Sequence, residues 1–246
     1  MKEFEREVVD RIEANGADRS LQAAAHEFMK ASIAAKYSYN FSWLGRPIIQ
    51  YPQDIVAMQE LIWSLQPDLI VETGIAHGGS LIFSASMLEL NAACGGPKDA
   101  RVVGIDIDIR AHNRAAIEAH PMFRRVTTIE GSSVAPEVVA AVRAHAAGKR
   151  SVLVCLDSNH AHDHVFAELE AYASLATVGS YCVVFDTIVE NLPKALSGDR
   201  PWGPGDNPKT AVRQFLASHP EFEVDRRVDR QLLIGVAPEG YLKRVR

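Results

Sequence analysis

The sequence predicts an α/β fold built on a doubly wound, mostly parallel sheet, and three observations lead there. Short apolar runs rich in Val, Ile and Leu recur along the chain without the polar alternation of half-exposed strands. Each of the first five is followed by a longer stretch with helical spacing. The last two lie too close together to leave room for a helical crossover, so they predict an antiparallel hairpin at the C-terminus.

Taken in order, residues 1–52 read as mostly helical, broken by an aromatic loop at 37–47, and form an N-terminal extension on one larger domain, 53–246. The parallel strands are expected at 69–71, 101–105, 126–129, 151–156 and 181–185. Between them, Val138, Val142 and His145, then Val165, Leu169 and Ala173, mark the buried faces of helices, and Val212, Phe215 and Leu216 mark a later one. Residues 222–224 and 231–236 are the two hairpin strands, which brings the total to seven. A long loop, 187–208, carries Pro193, Pro201, Pro204, Pro208 and Trp202, and loops of that length often serve as lids or substrate walls.

Composition narrows the function. With 246 residues, 47% hydrophobic and 23% charged, the chain has the balance of a soluble globular protein and not of a disordered one. Its 26 Lys and Arg against 31 Asp and Glu give a net charge of -5, which offers no broad cationic surface to a phosphate backbone, so nucleic acid is not an expected partner. Cys94, Cys155 and Cys182 are few, odd in number and far apart, which suits neither a disulfide framework nor a zinc ribbon and points to the reducing cytoplasm. The N-terminus is charged and no run has the length of a membrane span, so no membrane association is expected.

In an open parallel sheet ligands bind beyond the carboxyl ends of the strands, and the residues there are polar. The first strand leads through Glu72-Thr73-Gly74-Ile75-Ala76-His77-Gly78-Gly79-Ser80 into a helix, a glycine-bearing turn with free amides. The second ends in Asp106-Ile107-Asp108. A glycine turn followed by an acid on the next strand holds an adenosine, as in NAD, FAD or S-adenosylmethionine, although Gly78 and Gly79 also suit close helix packing. Ala76 stands where a pyrophosphate needs a second glycine, which weakens NAD, whereas S-adenosylmethionine carries no phosphate. The fourth and fifth strands end at Asp157 and Asp186; if these strands are neighbours, their exits stand roughly 5 Å apart. Two carboxylates in one mouth suit a divalent ion such as Mg²⁺, while a lone Asp157 could equally cap the next helix. Three histidines follow at His160, His162 and His164. On a helix Asp157, His160 and His164 would share a face, as in a 2-His-1-carboxylate iron site; the simpler reading keeps His160 at the pocket mouth and leaves His162 and His164 as ordinary helix residues.

A seven-stranded sheet closed by a C-terminal antiparallel hairpin resembles the Rossmann-like class I methyltransferases. In detail the chain resembles the cephalosporin hydroxylase/rhamnosyl O-methyltransferase family, through Trp43-Leu44-Gly45-Arg46-Pro47, Pro67 to Ser80, Glu130-Gly131-Ser132-Ser133, Leu156-Asp157-Ser158 with His160, Phe185-Asp186-Thr187 and Pro238 to Lys243. The resemblance implies S-adenosylmethionine held by Glu72, Gly74, His77, Gly78, Ser80, Asp106, Asp108, Ser132, Ser133 and Asp157, and Mg²⁺ or another divalent cation held by Asp157 and Asp186. Characterised relatives place an acidic pair after the fifth strand; here Phe185 replaces one acid, and a water, Asp157 or His160 would fill its place. No flavin, haem or firm iron motif supports the hydroxylation in the family name. The expected reaction is O-methylation of a small-molecule hydroxyl, on a sugar or polyketide of a natural product. Asp157 or His160 would take the proton, with Tyr39, Phe41, Trp43 and the Trp202 loop against the acceptor, although these aromatics equally suit ordinary core or oligomer contacts. The N-terminal helices offer a face for a homo-oligomer. Two other readings follow from the same residues: a non-haem iron oxygenase on Asp157, His160 and His164, and a non-catalytic nucleotide-binding scaffold.

Overall fold

The structure, a computed structural model, describes residues 2–246. Helices α1 (Lys2–Ala17) and α2 (Arg19–Ala34) form a hairpin about Asp18, whose carboxylate accepts from the Ser20 and Leu21 amides at 2.8 and 3.0 Å and so caps α2. A short antiparallel pair follows, β1 (Phe41–Trp43) and β2 (Arg46–Ile48), turned through Leu44 and Gly45 at positive φ. Helix α3 (Pro52–Leu65) starts on a proline, whose missing N–H costs nothing in a first turn.

The rest alternates. Strands β3 (Leu69–Thr73), β4 (Arg101–Asp106), β5 (Val126–Glu130), β6 (Val152–Leu156) and β7 (Tyr181–Val184) are linked by α4 (Gly79–Ala93), α5 (Ala111–Glu118), α6 (Pro136–Ala146) and α7 (His162–Tyr172). The chain closes with α8 (Pro208–Ser218), β8 (Phe222–Val224), α9 (Arg226–Leu232) and β9 (Tyr241–Arg244). The sheet order is β5-β4-β3-β6-β7-β9-β8; β3 to β7 run parallel, and β9 lies antiparallel between β7 and β8. β3 pairs with β4 on one side and β6 on the other, in register from Leu69 to both Arg101 and Val152. The order therefore reverses at β3, and the crevice beyond its carboxyl end is where such sheets bind ligands.

Alternate residues of the strands feed two cores. Ile70, Val102, Leu153 and Val183 pack with α3, α4 and Met29 of α2, whereas Val71, Val103, Val154 and Val184 pack with Val138, Val142, Val165, Leu169, Val212 and Phe215. His145 lies outside that second core and is exposed, because Ala146, four residues after Val142, continues the buried face of α6 in its place. Cys155 and Cys182 are buried in strands and Cys94 is exposed, all three as free thiols. Among the described residues no helix is long and apolar enough to cross a membrane.

The C-terminal hairpin forms, but its second strand is Tyr241–Arg244 and not 231–236. Asp225 caps α9 by accepting from the Arg227 amide, and the apolar residues Leu232, Ile234 and Val236 pack into the core below the N-terminal helices instead of joining the sheet. The segment after β7 is pinned at both ends. The Thr187 hydroxyl donates to the Pro238 carbonyl at 2.8 Å, and Asn207 makes a capping box on α8, while the Glu190 carboxylate accepts from the Gly205 amide and the Asn207 side chain.

Candidate active site

The turn from β3 to α4 has no space for side chains at its glycines. Gly74 sits at φ +88, and a Cβ there would stand 1.9 Å from the Asp157 carbonyl oxygen; one at Gly78, φ +82, would meet the Ile117 side chain at 2.5 Å. The amides that follow are fixed by the neighbouring strand. Oδ2 of Asp106 accepts from the Ile75 and Ala76 amides at 2.8 and 3.2 Å, and Oδ1 from the Asp108 amide at 3.1 Å. A carboxylate offers about four acceptor positions, so the turn occupies most of Asp106 and leaves room for one further donor such as a ribose hydroxyl. From outside, Arg46 donates to the His77 carbonyl and to Asn113, and Asn113 donates to the Ala76 carbonyl at 3.0 Å. Beneath the turn Glu72 is buried and accepts from the Ser80 hydroxyl; burial pushes its carboxyl up to about 7.

The second half of the site lies at the exits of β6 and β7. Asp157, His160 and Asp186 each present a donor atom within 4.8 Å of the others, with His160 Nε2 3.0 Å from Asp186 Oδ2. Asp186 is placed by a left-handed backbone, φ +54, which turns the chain away from β7. Trp202 meets the His160 ring edge to face, 5.2 Å between centroids at 86°. Asp157 does not cap α7, whose N-cap is Ala161; its Oδ2 accepts from the Gln50 side chain at 3.3 Å. Burial first, then the neighbouring charges of Asp186 and Glu72, hold the Asp157 carboxyl well above its ordinary range.

Both halves open into one cavity of about 880 Å³. Gly74, Ile75, Ala76, His77, Gly79 and Ser80 line one side, Asp157, His160 and Asp186 the floor, and Tyr39, Leu196, Arg200 and Trp202 the outer wall. The loop at 187–208 is therefore a wall of the cavity. Phe41 and Trp43 do not reach it: Trp43 donates to the Ser86 hydroxyl at 2.9 Å and packs on Phe83, and Phe41 packs on Tyr37. Gly78 is buried beneath the turn, and Asp108 is exposed beyond it with only its amide engaged. Ser132 and Ser133 are absent from the cavity lining; Ser133 Oγ lies 3.1 Å from His164 Nε2.

The three groups of the iron-oxygenase reading are not brought together. Residues 157–160 precede α7, so the shared helical face does not exist, and His164 Nε2 is turned to Ser133 and Ser158, with Glu168 at 3.4 Å. His162 is spent between α7 and α8, 2.7 Å from Thr210 Oγ1 and 2.9 Å from Gln214 Oε1. Sequence reasoning gave no role to Gln50 or Asn113, and it read Arg46 only as part of a motif. Gln50 is buried, and its Oε1 has no hydrogen-bond partner among the described residues.

The family model described as rhamnosyl O-methyltransferase/CmcI matches residues 35–245. A rhamnosyl O-methyltransferase of Mycobacterium tuberculosis is 28% identical over 231 residues, covering 92% of this chain and 87% of the relative. One from Mycobacterium leprae is 28% identical over 207 residues, 82% of each. A solved CmcI structure with Mg-SAM shares the fold at a TM-score of 0.58 and 18% identity, over 85% of this chain and 78% of that one. So does the O-methyltransferase TomG of Streptomyces achromogenes with SAM, at 0.52 and 18%, over 84% and 80%.

Proposed function

The chain belongs to the rhamnosyl O-methyltransferase/CmcI family, and from that premise we propose that it transfers the methyl group of S-adenosylmethionine to a hydroxyl of a small molecule, a sugar on a natural product, with a divalent cation assisting. The observation that carries this is the single cavity in which the β3–α4 turn faces Asp157, His160 and Asp186. Relatives named rhamnosyl O-methyltransferase supply the sugar as acceptor class.

The residues present fit both groups. The turn, its Ile75 and Ala76 amides held by Asp106, leaves no phosphate-sized glycine gap at Ala76, which sits at φ +46, and the carboxylates of Asp106 and Asp186 near it favour a cationic sulfonium. Asp157, His160 and Asp186 form a donor set of two carboxylates and one imidazole, with the acceptor and water to complete it. When bound, the cofactor supplies an already activated methyl, and the ion lowers the pKa of a coordinated hydroxyl.

The chain has then to align the acceptor oxygen and take its proton. Asp157, itself one of that donor set, is the proton acceptor: it lines the cavity, Gln50 donates to its Oδ2, and burial beside Asp186 and Glu72 raises the affinity of this carboxyl for a proton. His160 and Asp186 would hold the ion together with Asp157, and Tyr39 with Trp202 gives the acceptor flat walls, as a sugar ring needs. Titration calorimetry with S-adenosylmethionine, with and without chelator, followed by methyl transfer to rhamnosylated acceptors, tests the reading. Binding and transfer are expected; no cofactor binding in either condition sinks it.

A further inference from the structure

We propose that the site at the exits of β6 and β7 is a mixed nitrogen–oxygen centre that selects Mn²⁺ or Co²⁺ over Mg²⁺, with the His160 imidazole as the deciding ligand. This rests on the methyltransferase reading above and names the class of ion that it uses.

Three features carry it. First, the set at this mouth is two carboxylates and an imidazole, all within 4.8 Å. Phe185, the residue before Asp186, is 5% exposed and packed into the core, so β7 supplies one oxygen ligand here and no second. The third donor is nitrogen. Second, the spacing suits coordination: cis ligands at about 2.1 Å from an octahedral ion stand about 3.0 Å apart. His160 Nε2 and Asp186 Oδ2 already stand at 3.0 Å, a separation that also serves a hydrogen bond while no ion is held. Third, the imidazole is oriented before any ion arrives, because Trp202 packs edge to face on its ring. Mg²⁺ prefers oxygen ligands and water, whereas imidazole nitrogen suits first-row transition ions, so this set shifts the preference toward the latter.

The test uses full-length protein without a histidine tag, stripped by chelator, and measures the affinities of Mn²⁺, Co²⁺ and Mg²⁺ by calorimetry. Pulsed electron paramagnetic resonance of the Mn²⁺-loaded protein reads any directly coordinated nitrogen. A coordinated nitrogen is expected in the native protein and in His164→Gln, and none in His160→Asp or His160→Gln. The preference for Co²⁺ over Mg²⁺ should fall roughly tenfold or more in His160→Asp, which restores an all-oxygen set. Ion binding that is lost in Asp157→Asn, but with no nitrogen signal and an unchanged preference in His160→Asp, overturns this inference and leaves metal-assisted methyl transfer standing. No binding of any of the three ions, with methyl transfer undiminished by chelator, removes the metal from the functional reading as well.

Discussion

Ile75 donates its backbone amide to the Asp106 carboxylate at 2.8 Å, so the acid that ends β4 holds the turn that follows β3. Ala76 does the same at 3.2 Å. An acid read from sequence as a ribose acceptor is first of all a brace for the cofactor turn. Asp106→Ala takes the partner from three amides, two of them in the turn, and hydrogen bonds to charged groups contribute about 1.5–3 kcal/mol. Calorimetry should show S-adenosylmethionine affinity reduced roughly tenfold or more. Asp108→Asn keeps the bond from the 108 amide to Asp106 and should leave that affinity close to native.

Asp157→Asn removes the proton acceptor and one anionic ligand of the ion while keeping the shape of the β6 exit. Methyl transfer should fall to background while cofactor affinity stays near native. Retained turnover would show that the proton leaves by another route.

Gln50 acts on the reaction through Asp157, and its replacement separates orientation from binding. Gln50→Leu should lower kcat about tenfold, the scale on which partners of catalytic ligands matter, with KM for S-adenosylmethionine unchanged. A rise in that KM with native kcat would place Gln50 on the cofactor side instead.

Gly74→Ala sets a methyl against the Asp157 carbonyl in a backbone conformation that costs a non-glycine residue about 1–3 kcal/mol before any clash. Urea denaturation should show at least that loss, and cofactor binding should go with it. Gly148 also has positive φ, but a Cβ there meets nothing within 4 Å, so Gly148→Ala should cost less and leave cofactor binding intact.

Asp54 gives stability a dependence on pH. Fully buried on α3, it accepts from the Val236 amide at 2.9 Å and the Tyr241 hydroxyl at 3.3 Å, and burial pushes its carboxyl up to about 7. Unfolded, the group titrates near 3.9. Between these values the folded chain keeps a proton that the unfolded chain has lost, so stability falls as pH rises through that window and levels off above about 7. Asp54→Asn keeps the shape without the charge and should flatten the profile, measured by urea denaturation at pH 5 and pH 8. Equal slopes in the two proteins would assign the dependence elsewhere, to Glu72 for example.

The central strands were legible because parallel strands buried on both faces are continuous apolar runs, as 69–71 and 152–156 are. The first strand of the C-terminal hairpin, 222–224, reads correctly, and the second is misplaced for the same reason. Leu232, Leu233 and Ile234 look like a strand, but Leu232 and Ile234 serve a core under helices, while β9 has only two buried residues, Tyr241 and Leu242, followed by Lys243 and Arg244, and sits behind a glycine. At the site, Asp157 and Asp186 could be read because a carboxylate at a strand exit follows from topology. Gln50 could not, since its partner is 107 residues away and no local pattern sets a lone glutamine apart. The three-residue spacing of Asp157 and His160 suggested a helix, yet the chain enters α7 only at His162, and that difference turns His164 from a candidate ligand into a partner of Ser133 and Ser158.

The segment between β7 and α8 ties two inheritances together. Its anchors, Thr187 on Pro238 and the Asn207 cap, lie outside the stretch that carries Trp202, so an exchange there that keeps Leu192 and Leu196 on the core leaves both anchors in place. The same tryptophan forms the outer wall of the cavity and sets the plane of the His160 ring. A graft made to change which hydroxyl compound is accepted therefore also resets the angle of an imidazole on the cavity floor, and variants selected for new acceptors should be screened for their ion requirement at the same time.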